Sequence, residues 1–192
     1  MREKAIVRRT TLWSAAAGVS TVLCAAALAF ASATVGNAAP ALVVPELDGQ
    51  IFDLSALHGE VVIVNFWATW CPPCRAEMPA LDAFYRRYHG SGLEMIGVSS
   101  DRPHDRSDVT KVMQSLSYPA AMMDDAKVND FGPPDVLPVT FVVDGSGVIR
   151  AKFTPDQTPV TEKSLTDAVL PILPQNSGAH ASVNPGGPNA KP

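Results

Sequence analysis

The sequence predicts an α/β domain with a central mixed β-sheet flanked by helices and an extra N-terminal β-hairpin. Three observations carry this. Val61-Val62-Ile63-Val64-Asn65-Phe66 is a nearly unbroken apolar, β-branched run, as expected of a strand buried on both faces. A helical pattern follows, with Met78, Leu81, Phe84, Tyr85 and Tyr88 recurring at helical spacing and His89-Gly90 as its stop. The order along the chain is β-α-β-α-β-β-α, in which helical crossovers give parallel neighbours and the closing hairpin gives antiparallel ones.

Residues 1–39 read as an export signal or a membrane anchor. Arg2, Lys4, Arg8 and Arg9 against Glu3 make a basic start, and Leu12 to Ala33 follows as 22 uncharged residues. That is longer than the apolar part of a typical signal peptide and long enough to span a bilayer. Ala31-Ser32-Ala33 and Asn37-Ala38-Ala39 are the two candidate cleavage sites, and cleavage or retention as a tether through residues 12–33 stays open. Both outcomes place the remainder outside the cytoplasm. Arg8-Arg9 is followed by Thr10-Thr11 and makes a poor twin-arginine signal. Leu23 before Cys24 argues against a lipoprotein site.

A single domain is expected over residues 40–173. Residues 42–47 and 50–54 flank Asp48-Gly49, a strong two-residue hairpin signal. Residues 93–99 read as a strand, and 105–117 as a helix with Val109, Val112, Met113 and Leu116 in register. A short strand is expected at 120–123 and a short helix at 125–131. Residues 139–143 and 147–153 flank Asp144-Gly145-Ser146 as a second hairpin, and a last amphipathic helix covers about 161–172. The tail, 174–192, is Pro, Gly, Asn, Ser and Ala with almost no large apolar residue, a composition that predicts disorder.

The net charge of −4 divides unevenly. Beyond residue 39, eleven basic residues face eighteen acidic ones with no basic run, which argues against nucleic acid as a partner. Cys24 lies in the apolar N-terminal segment, so Cys71 and Cys74 are the thiols of the folded part. Three residues apart at a helix start, they share one face and are close enough to form a disulfide. A loop that short does little to restrain an unfolded chain, so a structural staple is the weaker explanation. The helix N-terminus stabilises a thiolate, the form that attacks disulfides. A zinc half-site would need about four ligands, and there is neither a second C-x-x-C nor a histidine in matching context. No metal is expected. Pro72 and Pro73 carry no N–H, so a Cys71 thiolate must rely on Cys74 for a donor. Fewer donors mean a less stabilised thiolate and a weaker oxidant.

Trp70-Cys71-Pro72-Pro73-Cys74, Pro79 and Leu137-Pro138-Val139-Thr140-Phe141-Val142-Val143-Asp144 together resemble the exported TlpA/ResA-like thiol-disulfide oxidoreductases, which have a thioredoxin-like fold and include cytochrome c maturation reductases. The resemblance covers about residues 40–173. It implies Cys71 as the partly exposed nucleophile, Cys74 as the resolving thiol, and a cis peptide after Leu137 that shapes a substrate groove with Trp70, Pro72, Pro73 and Pro138. In the ResA-like members a glutamate three residues after the second cysteine is a functional acid, which points to Glu77. The alternative for Glu77 is a solvent-facing helix carboxylate. The thioredoxin pattern places an acid six residues before the first cysteine, where this chain has Asn65. Trp67 reads as packing, and His58 as a solvated loop residue.

The expectation is an extracytoplasmic enzyme that reduces protein disulfides without a cofactor, as a monomer supplied by a membrane thiol-electron donor. Apocytochrome c or a copper-site assembly protein would be its substrate. Its rivals are a disulfide-forming oxidase of the same fold and a copper chaperone. The copper-delivery relatives use C-x-x-x-C and a later histidine, unlike this chain. A peroxidase pattern, P-x-x-x-T-x-x-C, is absent from the sequence.

Overall fold

The computed structural model describes residues 33–174. The export or anchor segment up to residue 32 and the tail beyond 174 lie outside the described residues. A five-stranded sheet runs through the centre in the order β5-β4-β3-β7-β8. Its members are β3 (Val61–Trp67), β4 (Leu93–Ser99), β5 (Ala120–Met122), β7 (Val139–Val143) and β8 (Ile149–Phe153). β3 pairs parallel with β4, and β4 with β5, while β7 runs antiparallel to both β3 and β8. The mixed sheet expected from the element order is therefore present.

Every residue of β3 is buried, which is why its sequence is apolar without alternation. Val61, Ile63 and Trp67 face one core, and Val62, Val64 and Phe66 the other. The first core is roofed by three helices. These are α1 (Pro72–Tyr88), α2 (Arg106–Met113) and α3 (Glu162–Val169), which contribute Leu81 and Phe84, Val109, and Leu165 and Val169 respectively. Gly97 makes room there for the largest buried side chain. An added Cβ would stand 3.1 Å from both Trp67 Nε1 and Tyr118 Cε2.

The second core is closed by a small sheet ordered β2-β1-β6, made of β1 (Leu42–Pro45), β2 (Ile51–Asp53) and β6 (Val128–Asn129). The N-terminal hairpin is thus present. Its paired strands are shorter than the sequence suggests, and residues 46–50 form the connection, with Gly49 at φ +93°. The helix expected at 125–131 is not formed. Met123–Asp125 makes a 3-10 turn and Val128–Asn129 pairs with Leu42 and Val43. Tertiary pairing with an open strand edge outweighs a weak local helical preference. α2 is also shorter than predicted, ending at Met113, and α3 gives way to a 3-10 turn at Leu170–Ile172.

Pairing begins before the expected boundary at residue 40. Gly36 N donates to Ile149 O at 2.8 Å, Ile149 N to Asn37 O at 2.9 Å, and Ala39 N to Gly147 O at 2.8 Å.

Candidate active site

The sheet and α1 meet at the C-terminal end of β3, and the short segment 68–71 between them ends in Cys71. Cys71 is the N-cap of α1, and Pro72 and Pro73 occupy its first positions, where a missing N–H leaves no helical bond unmade. Cys71 and Cys74 form a disulfide with Cα atoms 5.3 Å apart. Cys74 N donates to Cys71 Sγ at 3.2 Å, the one first-turn donor that the two prolines leave available. α1 continues unbroken through Pro79.

Cys71 is 4 % exposed and Cys74 2 %, less than the resemblance implies for the nucleophile. Access to Cys71 is through a groove of about 370 Å³ that reaches Cys71 but not Cys74. Trp70, Pro72 and Pro73 form one wall, and residues 134–137, including Leu137, the other. Trp70 is 67 % exposed and Val136 41 %, an apolar pair with no cover among the described residues. The Leu137–Pro138 peptide is cis. Pro138 itself is buried and does not line the groove; Leu137 does. Trp67 is fully buried. His58 is exposed in the loop before β3, at the end of the strand opposite the cysteines.

Glu77 is one helical turn beyond Cys74 and nine-tenths buried, so it is not a solvent-facing carboxylate. Its Oε1 accepts a hydrogen bond from Val160 N at 3.2 Å, and its Oε2 has no partner among the described residues. Burial raises its pKa above the usual carboxylate value, and the Val160 hydrogen bond only partly offsets this. A buried carboxyl whose pKa is raised in this way is a candidate proton-transfer group. Asn65 occupies the β3 position where the thioredoxin pattern has an acid. Its Nδ2 donates to Thr140 Oγ1 at 2.8 Å, and its Oδ1 is buried without a partner among the described residues.

Sequence reasoning missed Asp101, the buried carboxylate beside this segment. It follows β4 as Thr69 follows β3, and the register pairing Trp67 with Ser99 brings the two strand ends level. No local pattern marks it, because the contact forms only where the carboxyl ends of two adjacent parallel strands stand level.

Residues 35–152 match the family model described as the AhpC/TSA family, a span that holds the cysteines, the groove and Glu77. A thiol-disulfide oxidoreductase ResA from Bacillus cereus is 32 % identical over 124 residues, 65 % of this chain and 72 % of the relative. The chain belongs to this thioredoxin-like family of thiol-disulfide oxidoreductases. A ResA from Geobacillus thermodenitrificans is 30 % identical over 138 residues, 71 % of this chain and 79 % of the relative. Among solved structures, a secreted thiol-disulfide isomerase from Corynebacterium glutamicum superposes with a TM-score of 0.57 at 28 % identity, covering 69 % of this chain and 83 % of that one.

Proposed function

We propose that the protein reduces disulfides in other proteins outside the cytoplasm. The observation that carries this reading is the groove, which opens on Cys71 and not on Cys74 and so supports different tasks for the two sulfurs. In the dithiol form the Cys71 thiolate attacks a substrate disulfide. One substrate sulfur leaves as a thiolate and a Cys71–substrate mixed disulfide forms. Cys74, deprotonated with Glu77 as acceptor, then attacks Cys71 Sγ and expels the second substrate thiolate. The substrate gains two electrons and Cys71–Cys74 becomes the disulfide. Another dithiol must return the pair to its reduced form, and a membrane thiol-electron donor fits that need. Trp70, Val136 and Leu137 offer apolar surface to an extended substrate segment, and strand-like pairing along the Leu137 backbone would hold such a segment in the groove.

The reductant direction rests on Pro72 and Pro73. With Cys74 N–H as the hydrogen-bond donor to Cys71 Sγ, the thiolate has modest support and the reduced form is less favoured than in a strong oxidant. The basic, then apolar N-terminal segment supports export. Apocytochrome c and copper-site proteins are the substrates we propose, by the resemblance to ResA. The same surfaces would serve a monomer.

Trapping tests the assignment. The reduced Cys74→Ser variant, mixed with a disulfide-bonded peptide, should accumulate a mixed disulfide at Cys71, seen by mass spectrometry. The Cys71→Ser variant should not react. Trapping through Cys74 in the second variant would reverse the roles. Stoichiometric copper retention without any disulfide reduction would instead favour the chaperone reading.

A further inference from the structure

The segment that carries Cys71 is tied to the neighbouring strand by a single buried side chain. Asp101 is 2 % exposed. Its Oδ2 accepts from Thr69 N at 2.8 Å, and its Oδ1 from Thr69 Oγ1 at 2.6 Å. Ser99 Oγ donates to Oδ2 at 2.7 Å and in turn accepts from Asp101 N at 3.0 Å. Ser100 N donates to Trp67 O at 2.8 Å just beneath. Both donors of Thr69 are thus committed to one carboxylate, and Thr69 lies inside the turn closed by Cys71 N donating to Ala68 O at 3.2 Å.

We infer that Asp101, acting through Thr69, is a positioning residue that holds the Cys71 segment ready for ring closure once the disulfide is open. In the oxidised protein the S–S bond itself keeps Cys71 against Cys74. In the dithiol that link is gone, and the segment before Cys71 is held by the Asp101–Thr69 pair and the turn. Closure is an intramolecular displacement, whose effective concentration depends on how well the two sulfurs are held together. A slack segment lowers that concentration and disfavours the disulfide relative to the dithiol. The protein becomes a weaker reductant. Loss of the Asp101 charge, which opposes a nearby thiolate, acts in the same direction, so the uncharged change at Thr69 isolates the geometry.

This inference rests on Cys71–Cys74 being a working redox couple. The test is the equilibrium with glutathione, in which the dithiol and oxidised glutathione exchange for the disulfide and two reduced glutathiones. Relative to the wild type, Asp101→Ala should lower the constant for disulfide formation about tenfold, a rise of about 30 mV in potential. Thr69→Val, which keeps the charge, should lower it several-fold, and Thr69→Ser should restore it. The rate at which a Cys71–glutathione adduct is resolved by Cys74 should fall in the same order. If Asp101→Ala does not fold, Thr69→Val still decides. An unchanged constant and resolution rate in Thr69→Val would overturn the positioning role. A wild type that shows no reversible exchange with glutathione would instead overturn the redox reading itself.

Discussion

Cys71, Cys74 and Glu77 lie on one side of the first two turns of α1, and each meets a different environment. The groove reaches Cys71, the core covers Cys74, and Glu77 is enclosed against Val160. Burial leaves Glu77 holding its proton at a pH where the same carboxyl in an unfolded chain would release it. Between pH 4.5 and the raised native value the native state therefore binds more protons than the unfolded state, and stability falls as pH rises through that window. Glu77→Gln should remove that decline, measured as urea midpoints across pH. The same variant should flatten the pH dependence of mixed-disulfide resolution above the ordinary carboxylate range. If that profile is unchanged, Glu77 is a buried structural carboxyl and Cys74 loses its proton elsewhere.

At the scale of elements, the hairpin of β7 and β8 shows how a short turn fixes a register. Burial opposes the charge on Asp144. Hydrogen bonds from Ser146 Oγ, Val148 N, Arg150 and Ser146 N outweigh it, and the carboxyl titrates at about 2 instead of 3.8. Its contribution to stability is present above pH 3.8 and lost as pH falls toward 2. Asp144→Ala should cost about 2 kcal/mol at neutral pH, read from denaturant midpoints, and should lose less than the wild type on acidification through that window.

This hairpin, β3, β4 and α1 were legible because apolar periodicity and Asp-Gly turn chemistry there agree with the tertiary fold. β6 was not. Val128–Asn129 has no strand pattern of its own and pairs only because β1 offers an open edge. At the site, Cys71 and Cys74 could be read from their spacing, since they are local to one helix turn. Asp101 could not, because its meeting with Thr69 depends on the alignment of two strands 32 residues apart in sequence.

For the whole molecule, the central sheet has two cores of different make, helices over one and a three-stranded sheet over the other. The groove lies where residues 134–137 cross the end of the sheet toward Trp70. The N-terminal stretch pairs residues 36–39 with Gly147 and Ile149 at the start of β8. A chain beginning at Thr34, as cleavage after Ala31-Ser32-Ala33 would leave it, keeps those three hydrogen bonds. One beginning at Pro40 loses them and should be less stable by about 1–3 kcal/mol, measured by chemical denaturation. Equal stability of the two chains would show that this pairing contributes nothing.

In the proposed cycle the fold holds Cys71 and Cys74 so that, once reduced, the pair gives its electrons away. The most direct test is the reduction potential of the Cys71–Cys74 couple, equilibrated against glutathione or dithiothreitol. A value near or below roughly −220 mV, in the range of thioredoxin and the glutaredoxins, is the expected result. A value near about −120 mV would contradict it and make the protein an oxidant that forms disulfides.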